Sequence, residues 1–449
     1  MGTPDAAHLR RPLLRSSVTY SPGIRSLRCY HPTKSGDFAG TPASAAPCIW
    51  TTWRPHLSPP LFHHPADPVS ASGRVVIAGA GVAAHGAALG LRQAGFQGEV
   101  VMVGRDRYPP YDRPQLSKRY LLRDVPRERL FLPRVEAEMR LGEEVLEIEP
   151  ESHAVRTSGG ERLEYWRLLV ATGGRPRRLE GYEGRMYLRE LDSADSLLAV
   201  LDQGGSIEIA GAGFIGCEVA AVARIRGLSV AVFEALEQPM LRVLGAELGA
   251  WLAEFHRSRG VDLQTGVSDL PALSTNALIA VGTEPNTELA AAAGVRCEGG
   301  VVVDELGRTD APDVYAAGDC ARFWSPLFEA AVRVEHYNTA QRHANSVGRT
   351  MAGEDRAFAE APWFWSDQYD LNLQYIGAGL PWDETVVRGR FGSPPFTLFL
   401  LDRDRLVGAV GVGDGRTIGQ ARRLLETRTP VTRDQLVDPS VDLKALTRR

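Results

Sequence analysis

At 449 residues the chain exceeds what one hydrophobic core usually spans and calls for two or three domains. A formal net charge of -4 offers no basic field for nucleic acid, and no apolar run reaches the roughly 18 residues of a membrane span. The five cysteines, Cys29, Cys48, Cys217, Cys297 and Cys320, form no C-x-x-C pair and no metal-spaced cluster with histidine, which speaks against a redox disulfide or a metal centre and for a reducing, cytoplasmic setting.

Residues 1–70 are rich in Pro, Ser, Arg and His, poor in acids and without hydrophobic periodicity, so a disordered N-terminal extension is expected there. An organelle transit peptide has a similar composition, but the Ala- and Arg-heavy body favours a bland extension. From Arg74 the pattern becomes strand, glycine turn, helix, strand, first over Val75 to Val103 and again over Ile207 to Phe233. This is one βαβ unit used twice. Between the copies lie a hairpin-like stretch, Glu144 to Thr157, and a strand, Leu168 to Thr172, that runs into Gly173 and Gly174. After Arg308 the chain makes a strand into Gly318 and Asp319, then a helix from about Thr339 to Met351. From Pro362 it alternates strand-like segments, Leu371 to Ile376, Thr385 to Gly389, Phe396 to Leu401 and Leu406 to Val412, and closes with a helical run from Gly419 to Glu426, a separate α+β unit.

Three motifs carry chemistry. Gly79, Gly81, Ala83 and Ala84 form a glycine turn between a strand and a helix, with Asp106 just past the next strand. In such a turn the first glycine makes the bend and the second admits a pyrophosphate to the helix N-terminus, while the acid takes ribose hydroxyls. Gly211, Gly213, Phe214, Ile215 and Gly216 repeat the pattern, with Glu234 at the end of the following strand. Two such units in context point to two dinucleotides. The third motif is a strand ending in Gly318-Asp319, where a carboxylate can accept hydrogen bonds from the ribitol of a flavin.

These motifs occur together with Pro110 to Lys118, Ala171-Thr172-Gly173, Tyr187 to Arg189, Arg242 to Gly245, Arg333 to His336 and Trp363 to Tyr369, in an order that resembles the bacterial FAD-dependent ferredoxin reductases of the putidaredoxin reductase type. The likeness runs from Arg74 to about Leu446 and extends more distantly to apoptosis-inducing factor. The resemblance implies an α/β protein with two Rossmann-type dinucleotide-binding domains and a C-terminal α+β domain. Its divisions are an FAD-binding domain from 71–175 and 308–360, an NAD-binding domain over 176–307 and an interface domain over 361–449. It implies FAD and NAD as cofactors, a [2Fe–2S] ferredoxin as partner, and either a monomer or a homodimer. It places Arg113 and Lys118 along the FAD, with Lys118 near flavin N5 and paired with Glu218, the two candidate catalytic residues. Val145, Ala171, Thr172, Gly173, Arg189 and Gly282 are expected at the cofactors, Phe214 beside the nicotinamide, and Glu335, His336, Tyr337 and Trp365 around the isoalloxazine. Many relatives carry Trp where Tyr337 stands, and the stretches Val267 to Asn276 and Leu132 to Met139 are shorter than theirs, the first bearing on nicotinamide affinity. The implied activity is NADH-dependent ferredoxin reduction for a monooxygenase or dioxygenase. An NADH-bound redox sensor and a reductase of a small acceptor such as a quinone are the alternatives. Glu234, followed by Ala235, Leu236, Glu237 and Gln238 without a cation, favours NADH over NADPH.

Overall fold

In a computed structural model, which describes residues 73–447 and Phe62, the apolar run Val75–Ala78 is buried because it is the middle strand of a five-stranded parallel sheet. The strand order is Val314–Ala316, Arg167–Val170, Val75–Ala78, Val100–Gly104, Glu138–Leu141. Such strands read as continuous hydrophobic runs because helices cover them. Two of those helices, Val82–Gln93 and Tyr337–Met351, approach so closely that small residues are obligatory: a Cβ on Gly90 would fall 2.2 Å from the Asn345 carbonyl oxygen, and one on Gly348 2.2 Å from that of Ala87.

The second glycine motif belongs to another parallel sheet, ordered Val261–Gln264, Ser229–Phe233, Ser206–Ala210, Leu278–Ile279, Met186–Tyr187. The helices Phe214–Ile225 and Leu241–Ser258 pack on it, the second broken at Gly245, whose φ is +79°. A short antiparallel pair, Gly174–Pro176 with Thr283–Pro285, ties together the segments that connect the two sheets. The C-terminal region is a five-stranded antiparallel sheet, Trp363–Gln368, Leu371–Gly377, Arg405–Val412, Phe396–Asp402, Glu384–Gly389, with Gly415–Glu426 packed on it. Among the described residues no helix is long and apolar enough to cross a membrane.

Several expectations shift. The helix expected from Thr339 starts at Tyr337, and the one expected from Gly419 starts at Gly415, where Asp414 caps it by accepting from the Thr417 N–H at 3.2 Å. Between Gln264 and Leu278 the chain makes no strand; Leu270 and Leu273 instead pack with Tyr187, Phe233 and Ile279. Arg185 and Glu208 hold that segment, the first by donating to the Leu273 carbonyl at 2.8 Å, the second by accepting from the Ser274 N–H at 2.7 Å. Apart from Phe62, the expectation for residues 1–70 lies outside the described residues.

Candidate functional site

Both glycine turns sit where the strand order of their sheet reverses. Gly79 follows the central strand of the first sheet with φ +132°, and a Cβ there would lie 2.2 Å from the Ala171 carbonyl oxygen at the end of the neighbouring strand. Gly211 does the same in the second sheet, with φ +100° and a Cβ position 2.5 Å from the Ala280 carbonyl oxygen. Only glycine satisfies both the dihedral and the approach. Each turn delivers the chain into a helix, Val82–Gln93 or Phe214–Ile225, capped by glycine, without a capping side chain or an acid in its first turn. The first N–H groups of both helices therefore remain for an external anion, in the crevice at the strand C-termini where open α/β sheets bind ligands.

One cavity of about 1290 Å³ runs between the two turns. Of the positions singled out in the sequence, Gly79, Gly81, Ala83, Asp106, Arg113 and Lys118 line it from the first sheet. Val145, Ala171, Thr172, Gly173, Arg189 and Asp319 continue that wall. Gly211, Gly213, Phe214, Ile215, Glu218, Glu234 and Gly282 line it from the second sheet, and Glu335, His336, Tyr337 and Trp365 close it from the C-terminal side. Gly216 and Gly318 do not face it. A Cβ on Gly216 would strike the Gly211 carbonyl oxygen at 2.0 Å, and one on Gly318 would come 2.8 Å from the Ala83 Cβ, so both are packing glycines.

Where the sheets meet, the wall carries a buried ion pair: Lys118 Nζ lies 2.8 Å from Glu218 Oε1, with both side chains less than a tenth exposed. Glu218 also accepts from Ser117 Oγ at 2.5 Å and from Ser366 Oγ at 2.6 Å, so its carboxylate is met by three donors, and such hydrogen bonding offsets the desolvation of a buried charge. The Lys118 ammonium is 6.0 Å from the Trp365 ring centre. Arg189 pairs with Asp319 at 2.8 Å and donates to the Gly174 carbonyl, which joins the first sheet to the segment entering the second. Beside them Phe214 meets Phe364 edge-on at 4.7 Å, and Phe364 meets the His336 ring at 4.4 Å. Burial pushes the His336 imidazole down to about 4, against the opposing charge of Asp319, so the ring is neutral at pH 7.

At the second turn Glu234 accepts from the Ala212 N–H at 2.7 Å and the Leu236 N–H at 2.9 Å. Its carboxylate is thereby fixed over the glycine turn with acceptor capacity to spare. Asp106 is held by the Tyr111 hydroxyl at 2.7 Å and the Tyr108 N–H at 3.3 Å, and Arg113 stands 3.6 Å away.

The residues present fit two dinucleotides. Two uncapped helix N-termini face the cavity, two carboxylates stand at the ends of the second strands, and the buried His336 Nδ1 and Asn338 Nδ2 in the wall have no protein partner and suit a polar ring system. Phe364, Asn338 and Arg242, which also line the cavity, were not among the expected site residues. Phe364 follows the alternation of the strand Trp363–Gln368, which the sequence motif spans without marking as a strand, and the exposed Arg242 lies beyond the cation-free stretch 235–238 that follows Glu234. Among the described residues the three cysteines are free, and burial pushes the Cys217 and Cys320 thiols up, away from reactivity. No group of three His, Cys, Asp or Glu among the described residues could hold a metal.

The family model described as pyridine nucleotide-disulphide oxidoreductase matches residues 73–269 and 274–344, and the one described as reductase C-terminal matches 363–447. Rhodocoxin reductase of Rhodococcus erythropolis is 36% identical over 398 residues, which span 82% of this chain and 93% of that protein. The anthranilate 1,2-dioxygenase system ferredoxin–NAD(+) reductase component of Burkholderia cepacia is 37% identical, with 82% and 98% covered. Among solved structures, the covalent putidaredoxin reductase–putidaredoxin complex matches with a TM-score of 0.79 at 32% identity, over 84% of this chain and 98% of that one.

Proposed function

The chain belongs to the pyridine nucleotide-disulphide oxidoreductase family and, within it, to the ferredoxin reductases, and from that premise we propose that it passes electrons from NADH through FAD to a [2Fe–2S] ferredoxin of an oxygenase system. The observation that carries the reading is the single cavity into which both glycine turns open, with the Lys118–Glu218 pair at the junction of the two sheets. When bound, FAD supplies the chemistry that accepts a hydride and releases electrons singly. The chain's own residues bind, orient and charge the site.

In this reading the first domain, 71–175 with 308–360, holds FAD. The Gly79–Gly81 turn and its helix N-terminus receive the pyrophosphate, Asp106 the ribose, Arg113 the phosphates, and Asp319, aligned by Arg189, the ribitol. Val145, Ala171, Thr172 and Gly173 complete its wall. The second domain, 176–307, holds NADH on the Gly211–Gly213 turn, with Glu234 on the adenine ribose and Gly282 opposite. Phe214, Phe364 and His336 form an aromatic floor, with the two phenylalanine rings keeping water from the reacting atoms. Lys118, held by Glu218, supplies the positive charge that favours a reduced, anionic flavin. The third domain, 361–449, places Trp365 against the cavity and serves as the interface for the ferredoxin. The setting is cytoplasmic.

Steady-state NADH oxidation, measured with and without a [2Fe–2S] ferredoxin, tests the proposal. Stimulation by the ferredoxin supports it; a long-lived reduced protein indifferent to ferredoxin supports a redox sensor, and turnover with a quinone alone supports a small-acceptor reductase.

A further inference from the structure

The Glu218 carboxylate is the inner end of a buried hydrogen-bonded chain that crosses into the C-terminal sheet and back to the second domain. Ser366 Oγ lies 2.6 Å from Glu218 Oε1, Gln368 Nε2 lies 3.0 Å from Ser366 Oγ, and His256 Nε2 lies 2.8 Å from Gln368 Oε1. Ser366 and Gln368 share one face of the strand Trp363–Gln368, and His256 stands near the end of the helix Leu241–Ser258. Water reaches almost none of it: Ser366 and Gln368 are 0% exposed and His256 1%.

The position of every proton in this chain follows from its inner end. An ionised carboxylate only accepts, so Ser366 must give Glu218 its single hydroxyl proton. Ser366 can then only accept from Gln368, which must present its NH2 group. The amide oxygen therefore faces His256, and the imidazole must carry its proton on Nε2. Burial, reinforced by Arg259 and only partly opposed by the Gln368 hydrogen bond, pushes the His256 pKa down, in keeping with a neutral ring of that tautomer.

We propose that His256 is a positioning residue of the reductase: by donating to the Gln368 side-chain oxygen it fixes the direction of the Gln368–Ser366 chain and so keeps the Ser366 proton on Glu218. The inference rests on the reading above that Lys118 stands beside the flavin. Without the His256 N–H the Gln368 amide is free to turn over and offer its oxygen to Ser366, whose hydroxyl then leaves Glu218. Ser117 still donates to the other carboxylate oxygen, but Oε1, short of its hydroxyl donor, is left with Lys118 alone, draws the ammonium toward itself and cancels more of its field in the cavity. The flavin becomes harder to reduce.

The test uses the FAD-loaded full chain and reads the flavin potential together with the rate at which NADH bleaches it. His256→Phe should retain flavin and lower the reduced-to-oxidised ratio at a fixed poise about tenfold, which is about 30 mV for a two-electron couple. His256→Gln, which can still donate, should restore most of the loss. Ser366→Ala removes the same donor from Glu218 without touching the helix, so it should give a like shift and serves alone if His256→Phe loses flavin. In the double variant the two effects should not add. A parent-like potential in flavin-loaded His256→Phe or Ser366→Ala, or additive shifts in the double variant, would overturn the proposal. Lys118→Met separates the two readings: if it leaves the potential unchanged, the placement of Lys118 fails, whereas if it moves the potential while His256→Phe does not, only the relay fails.

Discussion

Lys118 is the residue on which the electrostatics of the site turn, because it is a buried cation at the cavity wall whose partner, Glu218, is itself fixed by two serines. Lys118→Met should keep FAD bound, lower its potential and slow reduction by NADH about 10- to 100-fold, the scale on which one preorganised electrostatic group acts. A redox titration with rapid-mixing kinetics reads both, and parent-like values would remove the lysine from the chemistry. Cofactor choice rests on Glu234, pinned over its turn by the Ala212 and Leu236 N–H groups, which would meet a 2′-phosphate with like charge. NADH should be preferred by roughly 30- to 1,000-fold in kcat/KM, and Glu234→Ala with Glu237→Arg should narrow or reverse that ratio. Arg242→Ala should widen it, since that exposed arginine on the cavity wall is the nearest cation beyond the 235–238 stretch and an available phosphate partner; equal use of both cofactors by the parent would defeat the assignment. The sequence made the binding positions legible because glycine turns and strand-end acids recur at fixed spacing. It could not show Gly318 as a packing position against Ala83, nor the relay that joins Glu218 to Ser366 and Gln368 to His256, because those contacts join residues more than a hundred positions apart; Gly216 packs on Gly211 within its own turn, where spacing alone does not tell a packing glycine from a binding one.

At the scale of elements, the pair of helices Val82–Gln93 and Tyr337–Met351 fixes the first turn against the sheet. Because a Cβ at Gly90 would meet the Asn345 carbonyl oxygen at 2.2 Å, Gly90→Val should force the helices apart. The expected result is a loss of about 3 kcal/mol in denaturant unfolding with weakened flavin retention, and an unchanged midpoint would show that the pair yields freely. The βαβ units were readable because parallel, two-sided burial writes continuous apolar runs, and the glycine turn between strand and helix punctuates them. Trp363–Gln368 is less legible: Trp363 and Trp365 stack at 5.4 Å and stay half-buried, with Trp365 at the cavity wall, while Ser366 and Gln368 are fully buried, so polar residues hold the most buried positions and the usual alternation is inverted. The helix Leu241–Ser258 carries no clean sequence signal for a related reason. Gly245, at φ +79°, interrupts its first turns, and a buried histidine near its far end is not a hydrophobic signal.

Across the whole molecule, three histidines are held neutral by burial, and together they tie stability to pH. His343 lies between Phe323 and Phe358 with neither ring nitrogen partnered among the described residues, and burial pushes it down to about 3; His336 is pushed to about 4, and His256 is lowered as well. Each binds a proton more readily when unfolded, near pH 6.5, than when folded. Stability from these groups is therefore present above about pH 6.5 and is lost as pH falls from there toward 4. The melting temperature should drop over that window, and His343→Leu should shallow the slope; a slope that His343→Leu leaves untouched would place the acid sensitivity elsewhere. The division into two dinucleotide units and a C-terminal unit was visible from composition and repeats, whereas the way the antiparallel sheet seals the cavity, with Phe364, Trp365 and Tyr375 facing it, depends on contacts that only the folded chain brings together.

In the proposed function both nucleotides share this one cavity and electrons leave it for an iron–sulfur protein. Anaerobic rapid mixing of the FAD-loaded chain with NADH, followed by mixing with an oxidised [2Fe–2S] ferredoxin, tests it most directly. The expected result is fast bleaching of the flavin absorbance by NADH, much slower bleaching by NADPH, and return of the oxidised spectrum as the ferredoxin is reduced. A flavin that NADH does not bleach, or a reduced flavin that the ferredoxin leaves untouched, would contradict it.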